Sequence, residues 1–159
     1  MGLEIERKFL VEKGFADGLS GGFRMKQGYI DTVGLTSVRA RIKGEGGFLT
    51  IKGALAEDGL SRPEYEYEIP LQDAVQIIDS LCGERVIEKT RYELRNGSHL
   101  WEIDIFHGEN EGLILAEVEL TEIDEDVVIP GWIVEEVTGD VRFYNSRLAE
   151  HPWPLWEGR

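Results

Sequence analysis

Apolar and polar positions alternate along most of this chain. In Leu3–Glu12, Leu3, Ile5, Arg7, Phe9 and Val11 take one side, and Glu4, Glu6, Lys8 and Leu10 take the other. Side chains two apart on a strand point the same way, so this spacing predicts a strand. The same period predicts strands at Phe23–Thr32, Thr36–Lys43, Gly47–Lys52 and Arg62–Ile69, then at Arg85–Leu94, His99–Phe106 and Leu113–Leu120. Gly44-Glu45-Gly46-Gly47 and Asn96-Gly97 supply hairpin turns. The period changes once in the middle. Leu71, Ala74, Val75, Ile78, Leu81 and Cys82 form one apolar helical face over Pro70–Cys82, and Gly83 is placed to end that helix. Gly14–Gly22 holds a helical turn or a loop. Val141, Tyr144, Asn145 and Leu148 predict a last helix over Thr138–Glu150, capped by Thr138 or Asp140 and stopped by Pro152.

Each half thus reads as a strand, a short helix or loop, and three more strands. Eight alternating strands in a chain of 159 residues favour an α+β fold built on a closed antiparallel β-barrel, as one domain over residues 1–159.

The polar faces carry charge on strand after strand. Glu4, Glu6 and Lys8 share a face, as do Arg39, Arg41 and Lys43. So do Thr50 with Lys52, Glu64 with Glu66 and Glu68, Lys89 with Arg91 and Glu93, Glu102 with Asp104, and Glu117 with Glu119. Two readings fit. In the common one these faces meet solvent. In the other the barrel is inverted, with charge lining a polar tunnel and the apolar faces covered from outside. An eight-stranded barrel has room inside for one small ligand. Two details favour inversion: like charges such as Arg39 with Arg41 need a counterion between them, and acids and bases segregate onto different strands.

Charge narrows the partners. The net charge is −14, with 17 Lys and Arg against 31 Asp and Glu, which argues against nucleic acid and anionic membranes. A phosphate compound would need a local basic cluster or bridging cations. Cys82 is the lone cysteine, so no intrachain disulfide forms. The N-terminus has no long apolar run, and no stretch approaches the ~20 apolar residues of a membrane helix, so a cytoplasmic protein is expected. His99, His107 and His151 fall at turns or near the terminus and are expected to be exposed.

The ordered set of motifs resembles the CYTH superfamily, the triphosphate tunnel metalloenzymes. Its Glu-x-Glu-x-Lys hallmark is Glu4, Glu6 and Lys8. Gln27-Gly28-Tyr29, Arg39-x-Arg41, Lys52, Arg62-x-Glu64-x-Glu66, Lys89-x-Arg91, Asp104, Glu117-x-Glu119 and Glu136-Val137-Thr138 follow in order. The spacing is similar to that of the short bacterial members. The resemblance implies an eight-stranded tunnel and hydrolysis or transfer at a triphosphate, assisted by magnesium or manganese. It implies that Lys8, Arg39, Arg41, Lys52, Lys89 and Arg91 bind phosphate oxygens, arginine as a planar fork and lysine as a point charge. Glu4, Glu6, Glu117 and Glu119 would hold the divalent cations. Glu64, Glu66 and Asp104 would support them, with Glu68 and Glu102 weaker candidates. Tyr29, if it faces the lumen close to Lys8, is a candidate proton acceptor, with Lys8 as the second catalytic residue.

No insertion dedicated to reading a base is visible, which points first to inorganic tripolyphosphate cleaved to pyrophosphate and phosphate. Thiamine triphosphatase and nucleoside triphosphatase are neighbouring readings. A class IV-type adenylate cyclase is more distant, and a non-catalytic polyphosphate-binding module is the reading from another class. The tail with Trp153 and Trp156 leaves a homodimer open.

Overall fold

The fold is seen in a computed structural model and is described for residues 2–158. Nine strands form: β1 (Gly2–Val11), β2 (Phe23–Ile30), β3 (Ser37–Lys43), β4 (Gly46–Lys52), β5 (Ser61–Ile69), β6 (Val86–Asn96), β7 (His99–Phe106), β8 (Ile114–Glu119) and β9 (Ile133–Glu136). Two α-helices accompany them, α1 (Leu71–Leu81) and α2 (Asn145–Glu150), and Phe15–Gly18 is a single 3-10 turn.

Eight of the strands close a barrel. Their order is β5-β4-β3-β2-β6-β7-β8-β1, and β1 pairs back onto β5. All of these pairings are antiparallel. The predicted α+β barrel and its doubled plan, a strand, a helical turn or helix and three strands, are therefore present. β1 makes the closure in two steps along one edge. Gly2–Ile5 meets β5, and Phe9–Val11 meets the short β9, while the opposite edge pairs with β8.

The inverted reading holds. Ile5, Phe9, Val11, Trp101, Ile103, Ala116, Val118 and Leu120 pack together on the outer wall, covered by Phe15, Leu60, Val127 and Trp132 from the loops. Phe15 stacks on Trp132 at 4.7 Å, and Trp132 meets Trp101 edge-on at 5.5 Å. On the other side α1 lays Ala74 and Ile78 over β2, β3 and β4. Gly28 permits that approach: a Cβ there would sit 2.7 Å from Cys82 Sγ.

The structure adds one element to the sequence expectations and corrects others. β9 was not foreseen, because its four residues carry no alternation and lie on an edge. The C-terminal helix is shorter than Thr138–Glu150: a 3-10 turn at Val141–Phe143, capped by Asp140, precedes α2. Thr138 caps neither, since its hydroxyl accepts from the Lys8 backbone N–H at 3.0 Å and donates to Glu136 at 2.7 Å. Of the three histidines expected to be exposed, only His151 is: His99 is 8% exposed and bonded to Glu125, and His107 is half-buried with its Nε2 2.7 Å from the Thr90 hydroxyl. No helix among the described residues is long and apolar enough to cross a membrane.

Candidate active site

Directly opposed residues on neighbouring strands share a face, so register decides what enters the lumen. Glu6 faces Glu119 and Lys8 faces Glu117 across β1 and β8. Glu4 faces Arg62, Lys52 faces Glu64, Arg39 faces Thr50, Arg41 faces Gln27, and Arg91 faces Asp104. The inward parity runs unbroken around the barrel. It encloses a cavity of about 230 Å³ lined by Glu4, Glu6, Lys8, Tyr29, Arg39, Arg41, Lys52, Glu64, Glu66, Lys89, Arg91, Glu117 and Glu119, together with Arg62, Glu102 and others. Eight of the chain's 17 Lys and Arg lie on its wall, a local concentration of positive charge in a protein of net charge −14. Asp104 stands just behind that wall, 1% exposed.

The barrel is stopped at one end. There the inward positions become apolar: Leu10 follows Lys8, Ile87 precedes Lys89, Phe106 follows Asp104 and Leu115 precedes Glu117. Phe143 and Leu148 from the C-terminal segment pack into that cluster with Leu113 and Val137. The segment also presents polar groups to the lumen. Lys8 Nζ donates to the Phe143 carbonyl at 3.3 Å, and Asn145 Oδ1 accepts from Gln27 at 3.1 Å and from Lys89 at 2.9 Å. The Tyr144 ring lies 5.4 Å from Lys8 Nζ and 5.0 Å from the Arg62 guanidinium.

The cations fall into two states. Those on β6 are fully paired. Arg91 is forked onto Asp104 at 2.7 and 2.8 Å, and Lys89 reaches Asp104 at 2.7 Å. Burial, only partly offset by Asp104 and reinforced by Arg91, pushes the Lys89 pKa down to about 7. Those on β3 keep donors to spare. Arg39 reaches Thr50 at 3.1 Å and Glu66 at 3.6 Å, yet its buried Nε has no partner. Arg41 donates to Gln27 Oε1 at 2.9 Å and has no ion-pair partner among the described residues. Burial and the nearby Arg39 and Arg91 guanidinium groups push Arg41 downward from its ordinary value. Buried donors without acceptors are costly, and an anion at this point would relieve them.

The opposite wall has the converse imbalance. Glu4 is held by Lys52 at 2.8 Å and Arg62 at 3.3 Å. Burial opposes its ionisation, but Lys52 and then Arg62 outweigh burial and bring its pKa to about 2. Glu117 lies 3.4 Å from Lys8 and 3.5 Å from Arg91. Against the cost of burial, these cations hold it well below the usual carboxylate range. Glu6 has no ion pair among the described residues. Burial, then Glu117 and Glu4, push it up to about 8. Glu119 is also raised, by burial and then by Glu4 and Glu102.

Among the described residues no three carboxylates converge as a preformed cage. The donor set nonetheless suits a hard divalent cation. Glu6, Glu117 and Glu119 bring carboxylate oxygens together on adjoining strands, and burial with the neighbouring carboxylates keeps Glu6 protonated up to about pH 8, a proton that a divalent cation at this point would displace.

Tyr29 does face the lumen, with its hydroxyl accepting from Gln27 Nε2 at 2.7 Å. Lys8 Nζ is taken up by Glu117, the Phe143 carbonyl and the Tyr144 ring instead. Sequence reasoning missed Tyr144 and Asn145, whose helical spacing reads as packing. It also passed over Arg62 as a site residue, although Arg62 shares its strand face with Glu64 and Glu66.

Comparison with known proteins matches the whole barrel. A family model described as CYTH domain covers residues 2–144. A protein of Acetivibrio thermocellus named inorganic triphosphatase is 47% identical over 155 residues, 96% of this chain and 97% of the relative. One of the same name from Nitrosomonas europaea is 41% identical, over 92% of this chain and 96% of the relative. A solved structure described as an inorganic triphosphatase superposes with a TM-score of 0.66 at 36% identity, covering 92% of this chain and 97% of that one. A structure from Bacillus halodurans described as a putative adenylate cyclase shares the fold with a TM-score of 0.61 at 19% identity, covering 78% of this chain and 84% of that one.

Proposed function

We propose that this chain, which belongs to the CYTH domain family, hydrolyses inorganic triphosphate to pyrophosphate and phosphate inside its barrel, as one domain over residues 1–159. The observation that carries the reading is the pair Arg39 and Arg41 on one lumen wall, Arg39 buried with an unpartnered Nε and Arg41 half-buried with no ion-pair partner among the described residues, opposite a wall of crowded carboxylates. The two relatives named inorganic triphosphatase support the same substrate.

In this reading water attacks a terminal phosphorus. A new phosphorus–oxygen bond forms, the bridging bond to the neighbouring phosphate breaks, and pyrophosphate leaves. Arg39, Arg41, Lys52, Lys89 and Arg91 hold the non-bridging oxygens in line and neutralise charge that grows on the leaving group. Lys8 bridges the two halves, contacting Glu117 on the acidic side while facing the phosphates. Tyr29 accepts the proton that the attacking water gives up. A bound magnesium or manganese ion, held by Glu6, Glu117 and Glu119 with Glu4 beside them, would supply Lewis-acid charge and a more acidic water. Glu64 orients Lys52, Glu66 orients Arg39, and Asp104 orients Lys89 and Arg91. The partner is a small-molecule triphosphate in a cytoplasmic setting.

Phosphate release from tripolyphosphate, ATP and thiamine triphosphate, each with magnesium, with manganese and with chelator, tests the reading. Metal-dependent release, greatest for tripolyphosphate, is expected. Tight triphosphate binding with no release from any substrate would make the chain a binding module, and cyclic AMP from ATP would make it a cyclase.

A further inference from the structure

Beside the lumen lies a second cavity of about 220 Å³ with a different character. Its wall is partly apolar, with Ile30, Leu35, Val38 and Leu55 joined by the Arg85 and Arg147 side chains. It shares a boundary with the lumen: Tyr29, Ser37, Arg62, Tyr144 and Ser146 line both. Tyr144 also borders a third, smaller recess near Leu60 and Gly139. Its ring therefore stands where three spaces meet, pressed between Lys8 and Arg62. The neighbours on each side are pinned. The Phe143 carbonyl is held by Lys8, and Asn145 is held by Lys89 and Gln27, so the backbone keeps the ring in place.

We propose that Tyr144 is a specificity-determining residue: its ring closes the lumen off from a half-apolar side cavity fitted to an organic ester group, and so restricts the enzyme to bare triphosphate. The inference rests on the reading of the lumen as a triphosphate site. A nucleoside triphosphate carries on its α-phosphate a ribose and a base that the charged lumen wall cannot match. The side cavity offers what such a group needs: apolar surface, two guanidinium planes for stacking, and room for a small ring, below the roughly 300 Å³ of drug-sized sites. The two spaces are distinct, and Tyr144 is the one bulky aromatic of the C-terminal segment among the five residues on their shared wall. Without it, the triphosphate could stay among the lumen cations while the base enters the cavity. The γ-phosphate would then be cleaved by the same attack of water, giving nucleoside diphosphate and phosphate.

The test is the ratio of kcat/KM for ATP to kcat/KM for tripolyphosphate, measured on full-length protein. Tyr144→Ala should raise it about tenfold or more, the size of effect that one opened apolar contact gives. Tyr144→Phe, which keeps the ring, should leave the ratio at the wild-type value. Ala54→Trp, which fills the side cavity from its exposed rim, should cancel the gain when combined with Tyr144→Ala. An unchanged ratio in Tyr144→Ala, or a gain that survives Ala54→Trp, overturns the proposal. If Tyr144→Ala does not fold, Tyr144→Leu carries the same criterion. Failure of the wild type to cleave tripolyphosphate would instead overturn the triphosphatase reading itself.

Discussion

Replacing Glu6 with glutamine should make the protein both more stable and nearly inactive. Glu6 faces Glu119 across the sheet and lies near Glu4 and Glu117. Burial and the latter two carboxylates raise its pKa from 4.5 to about 8. Between those values the folded chain holds a proton that the unfolded chain has released, so stability falls as pH climbs through that window. At 1.36 kcal/mol per unit the shift corresponds to about 5 kcal/mol. Water in the lumen screens part of this, and roughly 2–3 kcal/mol is the expected penalty at pH 8.5. Glutamine keeps the shape and removes the charge. In chelator, urea unfolding of Glu6→Gln should show a midpoint above that of the wild type at pH 8.5, with the difference vanishing near pH 5. Glu4 and Glu117 titrate only at more acid pH, and Glu119 and Lys89, whose pKa values also shift, are present in both proteins, so the difference between the two curves reports Glu6. Magnesium should stabilise the wild type more than the variant, and turnover should fall about a hundredfold. Superimposable pH profiles for the two proteins, or retained turnover, would refute the reasoning.

Arg41→Ala should lower kcat/KM for tripolyphosphate about ten- to a hundredfold, the worth of charge-assisted hydrogen bonds to an anion; a loss under threefold in steady-state assays would remove Arg41 from the site. Tyr29→Phe should cut kcat roughly tenfold or more with KM little changed, and an unaltered kcat would exclude Tyr29 from proton handling. Gly28→Val should destabilise the protein by about 1–3 kcal/mol in urea, since any Cβ there collides with Cys82 beneath α1. A wild-type midpoint in that variant would mean the helix sits farther out than described.

The barrel's faces were legible because a strand's side-chain period is two. Once Glu4, Glu6 and Lys8 share a face, the register carries the same parity through Glu117, Asp104, Arg91, Gln27, Arg41, Thr50 and Glu64 back to Glu4. The segregation of acids from bases marked that face as the inside. What stayed hidden depends on contacts distant in sequence. Tyr144 and Asn145 read as one side of a helix, and only the fold of the C-terminal segment brings them to Lys8 and Lys89, over 50 residues away. The stopped end was hidden too. Leu10, Ile87, Phe106 and Leu115 look like breaks in a charged pattern until Phe143 and Leu148 are seen packed among them. His99 misled because a residue beside a turn is usually exposed, and its partner Glu125 lies in a loop without periodicity.

The central claim is that a triphosphate binds within the barrel between Arg39 and Arg41 on one wall and the carboxylates of β1 and β8 on the other. A crystal structure of the Glu6→Gln variant soaked with tripolyphosphate tests it most directly, since slow turnover would preserve the ligand. The account predicts three linked phosphates in the lumen with oxygens on Arg39 Nε and the Arg41 guanidinium. Phosphates bound only outside the barrel, with those two arginines unchanged, would contradict it.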